Sequence, residues 1–330
     1  MIDINKNPVV SVVMSVYNAE KYLDDAIQSI LKQTYKNFEF VIINDGSNDR
    51  SLEIIKKYKN EDDHIILISR ENRGLISSLN EGIAKARGEY IARMDADDIS
   101  LPFRIEKQLQ VMEHDKNIVV CGSWINIFGE NINEKVARYF EHDKQIKANL
   151  LVSCCFAHPS VMIRKDALTN NNILYDERFK NAEDYYLWTQ LAKVGKFYNI
   201  PEILLKYRFL ETSITRLSDR DFSKRYNILK DIFKEALNAV DLNITEEDMK
   251  IHFIISDNAR IKNNKIELKH IKNYFDKILK ASENKRVVDL ATLKQVLGRR
   301  WLYNLICHKD IRAIFYSYFW FGVASILKGK

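Results

Sequence analysis

Proline and glycine are scarce in this chain of 330 residues, at 4 and 10 copies. No Pro/Gly-rich linker, internal repeat or low-complexity tract interrupts it, so breaker residues give no guide to domain boundaries. Cysteine is equally sparse. Of the four, Cys154 and Cys155 are adjacent while Cys121 and Cys307 stand alone. That arrangement fits neither a disulfide framework nor the spaced pairs of a zinc site, and reduced thiols in the cytosol are expected. No run reaches the ~20 apolar residues that a membrane span requires. Met1 to Pro8 is polar, and the first apolar stretch, Val9 to Val16, contains serine and lacks a basic leader, so no signal peptide is expected.

What is present is an ordinary globular composition, 46% hydrophobic and 29% charged. The length accommodates two domains, or one α/β domain with an appendage. Charge is unevenly spread. Asn258 to Lys330 holds 16 Lys and Arg against 5 Asp and Glu, a balance of +11, which leaves 35 against 40, or −5, for residues 1 to 257. An acidic body with a basic tail implies that the tail meets an anionic surface, membrane or nucleic acid.

The first third alternates short apolar runs with amphipathic segments. Strands are expected at Val9–Val16, Phe38–Ile43, Ile65–Ser69 and Tyr90–Met94. Helices are expected between them, at Glu20–Gln33 with Asn18 as N-cap, at Asp49–Tyr58 and at Ile76–Ala86. Strands separated by single helices imply βαβ units and a mostly parallel sheet, whose ligands bind beyond the carboxyl ends of the strands. Tyr17, Asp45, Glu71-Asn72 and Asp95 to Asp98 each fall just after such a strand. Further on, a helix Ile105–Asp115, a strand Ile118–Cys121, a helix opening at Asn181–Trp188 and strands Phe197–Ile200 and Leu204–Phe209 are expected. From about Ser218 the pattern is helical only.

The stretch Tyr90 to Asp98 carries the most chemistry. An apolar strand runs into three carboxylates within four positions. In an extended segment, Asp95 and Asp97 project to one side and converge on a hard cation. An oxygen-only donor set suits Mg²⁺ or Mn²⁺, completed by substrate phosphates. An acidic loop capping the next helix is the competing explanation.

Five segments in order, Val10-Ser11-Val12-Val13-Met14-Ser15-Val16-Tyr17-Asn18, Asn44-Asp45-Gly46-Ser47-Asn48-Asp49, Asn72-Arg73-Gly74, Met94-Asp95-Ala96-Asp97-Asp98 and Glu183-Asp184, resemble the motif set of family 2 glycosyltransferases. The resemblance covers roughly residues 8 to 210 and is closest to the bacterial subset that builds capsules, lipopolysaccharide O-chains and other surface glycans. It implies the GT-A fold, an α/β sheet flanked by helices, over residues 1–215, with a basic helical region over 216–330. It also implies an inverting, metal-dependent enzyme that uses a nucleotide-diphosphate sugar, in the first instance a UDP-sugar, with Mn²⁺ or Mg²⁺.

Roles follow from the same resemblance. Asp45 is expected to contact the base, all the more because Asn44 stands where many members have Asp. Asp95 would reach the ribose or the metal, and Asp97 the metal. Tyr17, Asn18, Asn72, Arg73, His158 and Arg208 would line the donor site, with Arg208 reaching the diphosphate from a mobile loop. Leu210 stands where related enzymes often have a His. Asp184 matches the general base that takes the acceptor hydroxyl's proton, and Glu183 would orient it. A processive synthase is not expected, because Leu297 replaces the Gln that would precede Arg300-Trp301 in that motif.

Two other classes stay open on residues alone. A sugar-nucleotide pyrophosphorylase would share the α/β start but needs a Gly-rich loop after the first strand, and Ser15 to Ala19 has no glycine. A non-catalytic basic-tailed binding module would leave the carboxylates without a purpose, and no nucleic-acid motif appears. The uncharged run Ala313 to Leu327, flanked by basic residues, is expected to lie at a membrane–water interface. The enzyme is therefore expected on the inner face of the cytoplasmic membrane, acting on a lipid-linked glycan.

Overall fold

The structure is a computed structural model describing residues 7–130, 132–211 and 221–327. The expected domain boundary at 215/216 and the basic residues Lys328 and Lys330 lie outside the described residues. The chain divides into two compact units, Met1–Tyr139 with Phe156–Arg216, and Phe140–Cys155 with Leu217–Lys330.

In the first unit the βαβ reading holds. Strands β1 (Val10–Val16), β2 (Phe38–Asp45), β3 (Ile65–Arg70) and β4 (Tyr90–Asp95) pair in parallel in the order β3-β2-β1-β4. Between them run helices α1 (Leu23–Leu31), α2 (Ser51–Glu61) and α3 (Leu75–Lys85). Both faces of these strands are covered, which is why β2 is buried at every position. Val10, Val12, Met14 and Val16 pack with Leu23, Ala26, Ile27 and Ile30 of α1, while α3 packs from the side of Val13 and Ile43.

Beyond β4 the sheet becomes mixed instead of staying mostly parallel. A two-residue strand β5 (Ile99–Ser100) precedes helix α4 (Arg104–His114), then come strands β6 (Ile118–Phe128) and β7 (Lys135–Ala137). Helix α5 (Asp143–Leu150) belongs to the second unit. The first unit resumes with β8 (Met162–Arg164), α6 (Lys165–Thr169), α7 (Glu183–Leu191) and β9 (Lys196–Arg208). β8 pairs antiparallel with both β4 and β6, while β6 and β9 run parallel. The two strands expected around residues 197–209 are one. Pro201 cannot donate to a ladder, and the register slips there, from Ser123↔Ile200 to Trp124↔Ile203, so the strand continues past it.

The second unit is all-helical: α5 with α8 (Phe222–Asn238), α9 (Glu246–Ile255), α10 (Asn258–Asn263), α11 (Leu268–Lys285), α12 (Leu290–His308) and α13 (Ser317–Leu327). Its core gathers Leu268, Ile271, Phe275, Leu293, Leu297 and Trp301, with Tyr318 from α13. No helix among the described residues is long and apolar enough to cross a membrane.

Candidate active site

The parallel register puts the carboxyl ends of four strands on one edge: Val16 opposite Asn44, Ser15 opposite Asp95, and Asp45 opposite Arg70. The loops after β1 and β2 are latched to each other. The Asn18 amide donates to Ser47 Oγ (3.1 Å), and Asn18 Oδ1 accepts from the Asn48 amide (2.8 Å). The Glu20 amide donates to Asp49 and the Arg50 amide to Glu20 (3.0 and 2.9 Å). Asn18 is not an N-cap. It sits at φ +50°, a conformation Asn tolerates, and α1 begins only at Leu23. Tyr17 remains open, 51% exposed beside this latch.

Asp45 is buried and occupied. Its Oδ1 accepts from the Arg70 guanidinium and from the Arg73 amide (2.8 Å), and its Oδ2 from the Gly74 amide (2.9 Å). Arg70 also reaches Glu81 (2.6 Å) and Ser78 (3.0 Å), so the loop carrying Asn72 and Arg73 is tied down from beneath. The side chains of Asn72 and Arg73 themselves are exposed. Gly46, at φ +71°, closes against the same loop, where a Cβ would lie 2.6 Å from the Asn72 nitrogen. Asn44 is the less engaged neighbour. Its amide donates to Ser69 (3.1 Å), but its buried Oδ1 has no partner. Three accepted hydrogen bonds leave the Asp45 carboxylate room for one more donor, and the unpartnered Asn44 Oδ1 beside it offers a second acceptor.

Asp95, Asp97 and Asp98 each offer an oxygen within 4.8 Å of the others. Their convergence does not come from an extended strand as expected: β4 ends at Asp95, and a turn at Ala96–Asp97 brings the three round. Asp98, unassigned by the sequence, is the most buried of them, and its Oδ2 has no hydrogen-bond partner. Burial, then the Asp95 charge, pushes the Asp97 carboxyl up to about 6. Burial, then Asp95 and Asp97, raises Asp98 well above the carboxylate range. Three hard oxygen donors that repel one another, only partly offset by Arg93 and Arg208, and an orphaned buried oxygen fit a divalent cation.

Arg208 ends β9 and is not on a loop. Its guanidinium lies over the rings of Tyr22 (4.2 Å) and Phe128 (4.5 Å), its Nε donates to the Asp97 carbonyl (2.7 Å), and its amide donates to Asp98 (2.7 Å). It therefore holds the acidic turn in place.

Beneath the turn lies Arg93, buried and ion-paired with Asp95. Sequence reasoning passed over it; an arginine in the middle of a buried strand was the available signal, since such a charge is seldom buried unless paired. Its charge also acts on His158, Tyr175 and Glu183. Arg104, buried at the start of α4, supports this strand by donating to the carbonyls of Arg93 (2.7 Å) and Val161 (3.1 Å). Burial lowers its guanidinium to about 9.

His158 sits in a short 3₁₀ turn, its Nε2 2.6 Å from the Tyr175 hydroxyl and its ring edge-on to Trp188. Burial, then Arg93, holds the imidazole well below its usual range. At neutral pH it supplies no positive charge for a diphosphate. Glu183 and Asp184 open α7. Glu183 is buried, and burial followed by the Asp184 charge raises its carboxyl to about 7. Asp184 is half-buried, with its Oδ1 accepting from the Tyr185 amide (2.7 Å). The Tyr175 hydroxyl feels Arg93, Asp184, Glu183 and Asp95 together, which places the acidic turn and the α7 carboxylates in one neighbourhood.

A mixed α/β sheet flanked by helices, with an acidic turn at the end of β4 and a second carboxylate pair opening α7, has the GT-A architecture. The chain belongs to glycosyl transferase family 2, whose model matches residues 11–170. An uncharacterised glycosyltransferase of Methanocaldococcus jannaschii is 42% identical over 209 residues, covering 61% of this chain and 71% of the relative. The O-antigen biosynthesis glycosyltransferase WbnJ of Escherichia coli is 37% identical over 206 residues, covering 61% of this chain and 79% of the relative. Among solved structures, S. aureus TarS 1-349 in complex with UDP-GlcNAc has the same fold, with a TM-score of 0.62 and 18% identity over 92% of this chain and 88% of that one.

Proposed function

We propose that the protein moves one sugar from a UDP-sugar to a hydroxyl of a growing surface glycan carried on a lipid at the inner face of the cytoplasmic membrane, with inversion at C1. The observation that carries this reading is the placement of the Asp95–Asp97–Asp98 turn and the Glu183–Asp184 pair around Arg93 and Tyr175. Asp95, Asp97 and Asp98 would hold Mn²⁺ or Mg²⁺, whose Lewis acidity offsets charge on a departing diphosphate. Asn44, Tyr17 and the loop pinned by Asp45 supply the walls for base and ribose. Asn18 latches the β1 and β2 loops, and Asn72 and Arg73 face outward where a donor would enter.

The acceptor oxygen forms a bond to C1 while the C1–phosphate oxygen bond breaks, and the acceptor's proton passes to the Asp184 carboxylate. Glu183, pushed to about 7 by burial, is half protonated near neutrality and keeps a second negative charge from crowding Asp184. Such base assistance contributes roughly 10²–10⁴-fold. The UDP choice is supported by the TarS complex with UDP-GlcNAc, and the surface-glycan acceptor by the O-antigen relative.

The test is release of nucleoside diphosphate from a panel of UDP-, GDP- and dTDP-sugars with Mn²⁺, Mg²⁺ or chelator. Turnover confined to one nucleotide and abolished by chelator is expected. Equal turnover in chelator removes the metal from the reading, and formation of nucleotide sugar from a sugar phosphate would make the protein a pyrophosphorylase.

A further inference from the structure

Half of the fourteen large apolar side chains that stand exposed among the described residues fall between Ile306 and Leu327. They are Ile306, Ile311, Ile314, Phe315, Trp320, Ile326 and Leu327. The packing of α12 and α13 explains why. The helices cross at Gly298 and Gly322, where a Cβ on either would collide with the backbone of the other. The link folds back so that the Trp301 indole donates to the Ala313 carbonyl (3.0 Å). Ala313, Tyr318, Gly322 and Ser325 take the inward positions.

The opposite stripe of α13 is then Ser317, Trp320, Ala324 and Leu327, spaced by three and four residues. A helix whose outer face meets only water normally carries charge there. This one has none from Ala313 to Leu327, and Trp320 and Leu327 are 63% and 82% exposed. The hairpin's own sequence is strongly basic, and the carboxylates beside it are engaged: Asp310 pairs with Arg312 (2.7 Å) and Asp276 accepts from the Tyr318 hydroxyl (2.7 Å). Between Leu290 and Lys330 the sequence holds seven Lys and Arg against a single acid, Asp310. Lys309 and Arg312 stand exposed in the link itself.

We propose that this outward face of the α12–α13 hairpin docks on an anionic lipid bilayer, with Phe315, Trp320 and Leu327 entering the interface and Lys309 and Arg312 meeting headgroups. The apolar stripe supplies area, tryptophan favours the interfacial layer, and each basic residue near the surface adds attraction that salt weakens. The charge decides the occupant: a second copy of the chain would bring the same positive surface against itself, whereas anionic headgroups complement it. For its purpose, delivery to a lipid-linked acceptor, the surface rests on the transferase reading.

Truncation would remove Trp301 from the helical core, so the test uses exposed positions in the full chain. Wild type, a Phe315→Glu/Trp320→Glu double variant and a Lys309→Glu/Arg312→Glu double variant are floated on sucrose gradients. The vesicles are phosphatidylcholine alone or mixed with phosphatidylglycerol. Wild type is expected to float with the anionic vesicles and to be released by high salt. Each double variant is expected to lose at least tenfold in bound fraction at unchanged melting temperature and unchanged transfer to a soluble acceptor. Wild type that stays at the bottom, or variants that float as well as wild type, would overturn the proposal. So would a solution dimer that the Trp320 substitution dissociates. Flotation by a protein with no transfer to any acceptor would remove the transferase reading and leave the surface standing.

Discussion

Replacing Asp97 by Ala takes away one of three oxygens that lie within 4.8 Å of each other. With the cluster cut to two carboxylates, the Mn²⁺-dependent part of UDP affinity is expected to disappear, read by titration calorimetry with and without Mn²⁺. Retention of Mn²⁺-linked binding would place the metal elsewhere. Asp184→Asn keeps shape and hydrogen bonding but cannot accept a proton. Transfer should fall at least ~10²-fold while UDP affinity stays within a few-fold. If Asp184→Asn retains transfer and Glu183→Gln does not, the buried carboxyl poised near neutrality is the base.

At this scale the sequence was legible where the side chain's role is local. Asp95 ends β4 and Asp97 follows two positions later, so one local turn is enough to bring them together. Asp45, Asn18 and Arg208 carry a second role that the chain pattern does not show, because their polar groups also hold other loops of the protein. No pattern along the chain records that Asp45 faces Arg70 and the amides of Arg73 and Gly74, because those contacts exist only once β2 and β3 pair.

Among elements, the α12–α13 crossing depends on two hydrogens in place of side chains. Gly322→Val would drive a branched side chain into the Gly298 carbonyl, to which even a bare Cβ comes within 2.5 Å, and into Leu302. Overpacking of this kind costs about 1–3 kcal/mol. A lowered melting temperature and faster proteolysis of α13 are expected, and an unchanged melting curve would show that the helices do not meet there. The element pattern itself was readable over residues 10–95 because each strand and helix there is a continuous apolar run or stripe. It failed at β9, expected as two strands, where a slipped register carries one strand past Pro201. At α1 only the bounds differ, Leu23–Leu31 in place of the expected Glu20–Gln33.

For the whole molecule, the buried acids make stability depend on pH. Glu183 is raised from 4.5 to about 7, so the folded state holds a proton that the unfolded state has released. Its contribution is therefore present below about pH 4.5 and lost as pH rises to about 7, on the order of 3 kcal/mol. Asp97, raised to about 6, acts with the same sign. In chelator, Glu183→Gln should melt higher than wild type near pH 8 and much like it near pH 4, which thermal unfolding across pH would read. A difference independent of pH would mean that Glu183 is ionised in the fold at no cost.

Alone, the sequence determined the α/β class, the parallel start and the acidic run after β4, because apolar periodicity and a cluster of like charges are properties of neighbours in the chain. It also marked the uncharged run near the C-terminus. Only the tertiary structure decided that Asp98 completes the acidic cluster and that Arg93 pairs with Asp95 while its charge reaches Glu183. It alone decided that Phe140–Cys155 packs with the helices, and which side of α13 is left outward. Those outcomes depend on packing between segments far apart in the chain, where burial and the loss of water set the strength of each charge.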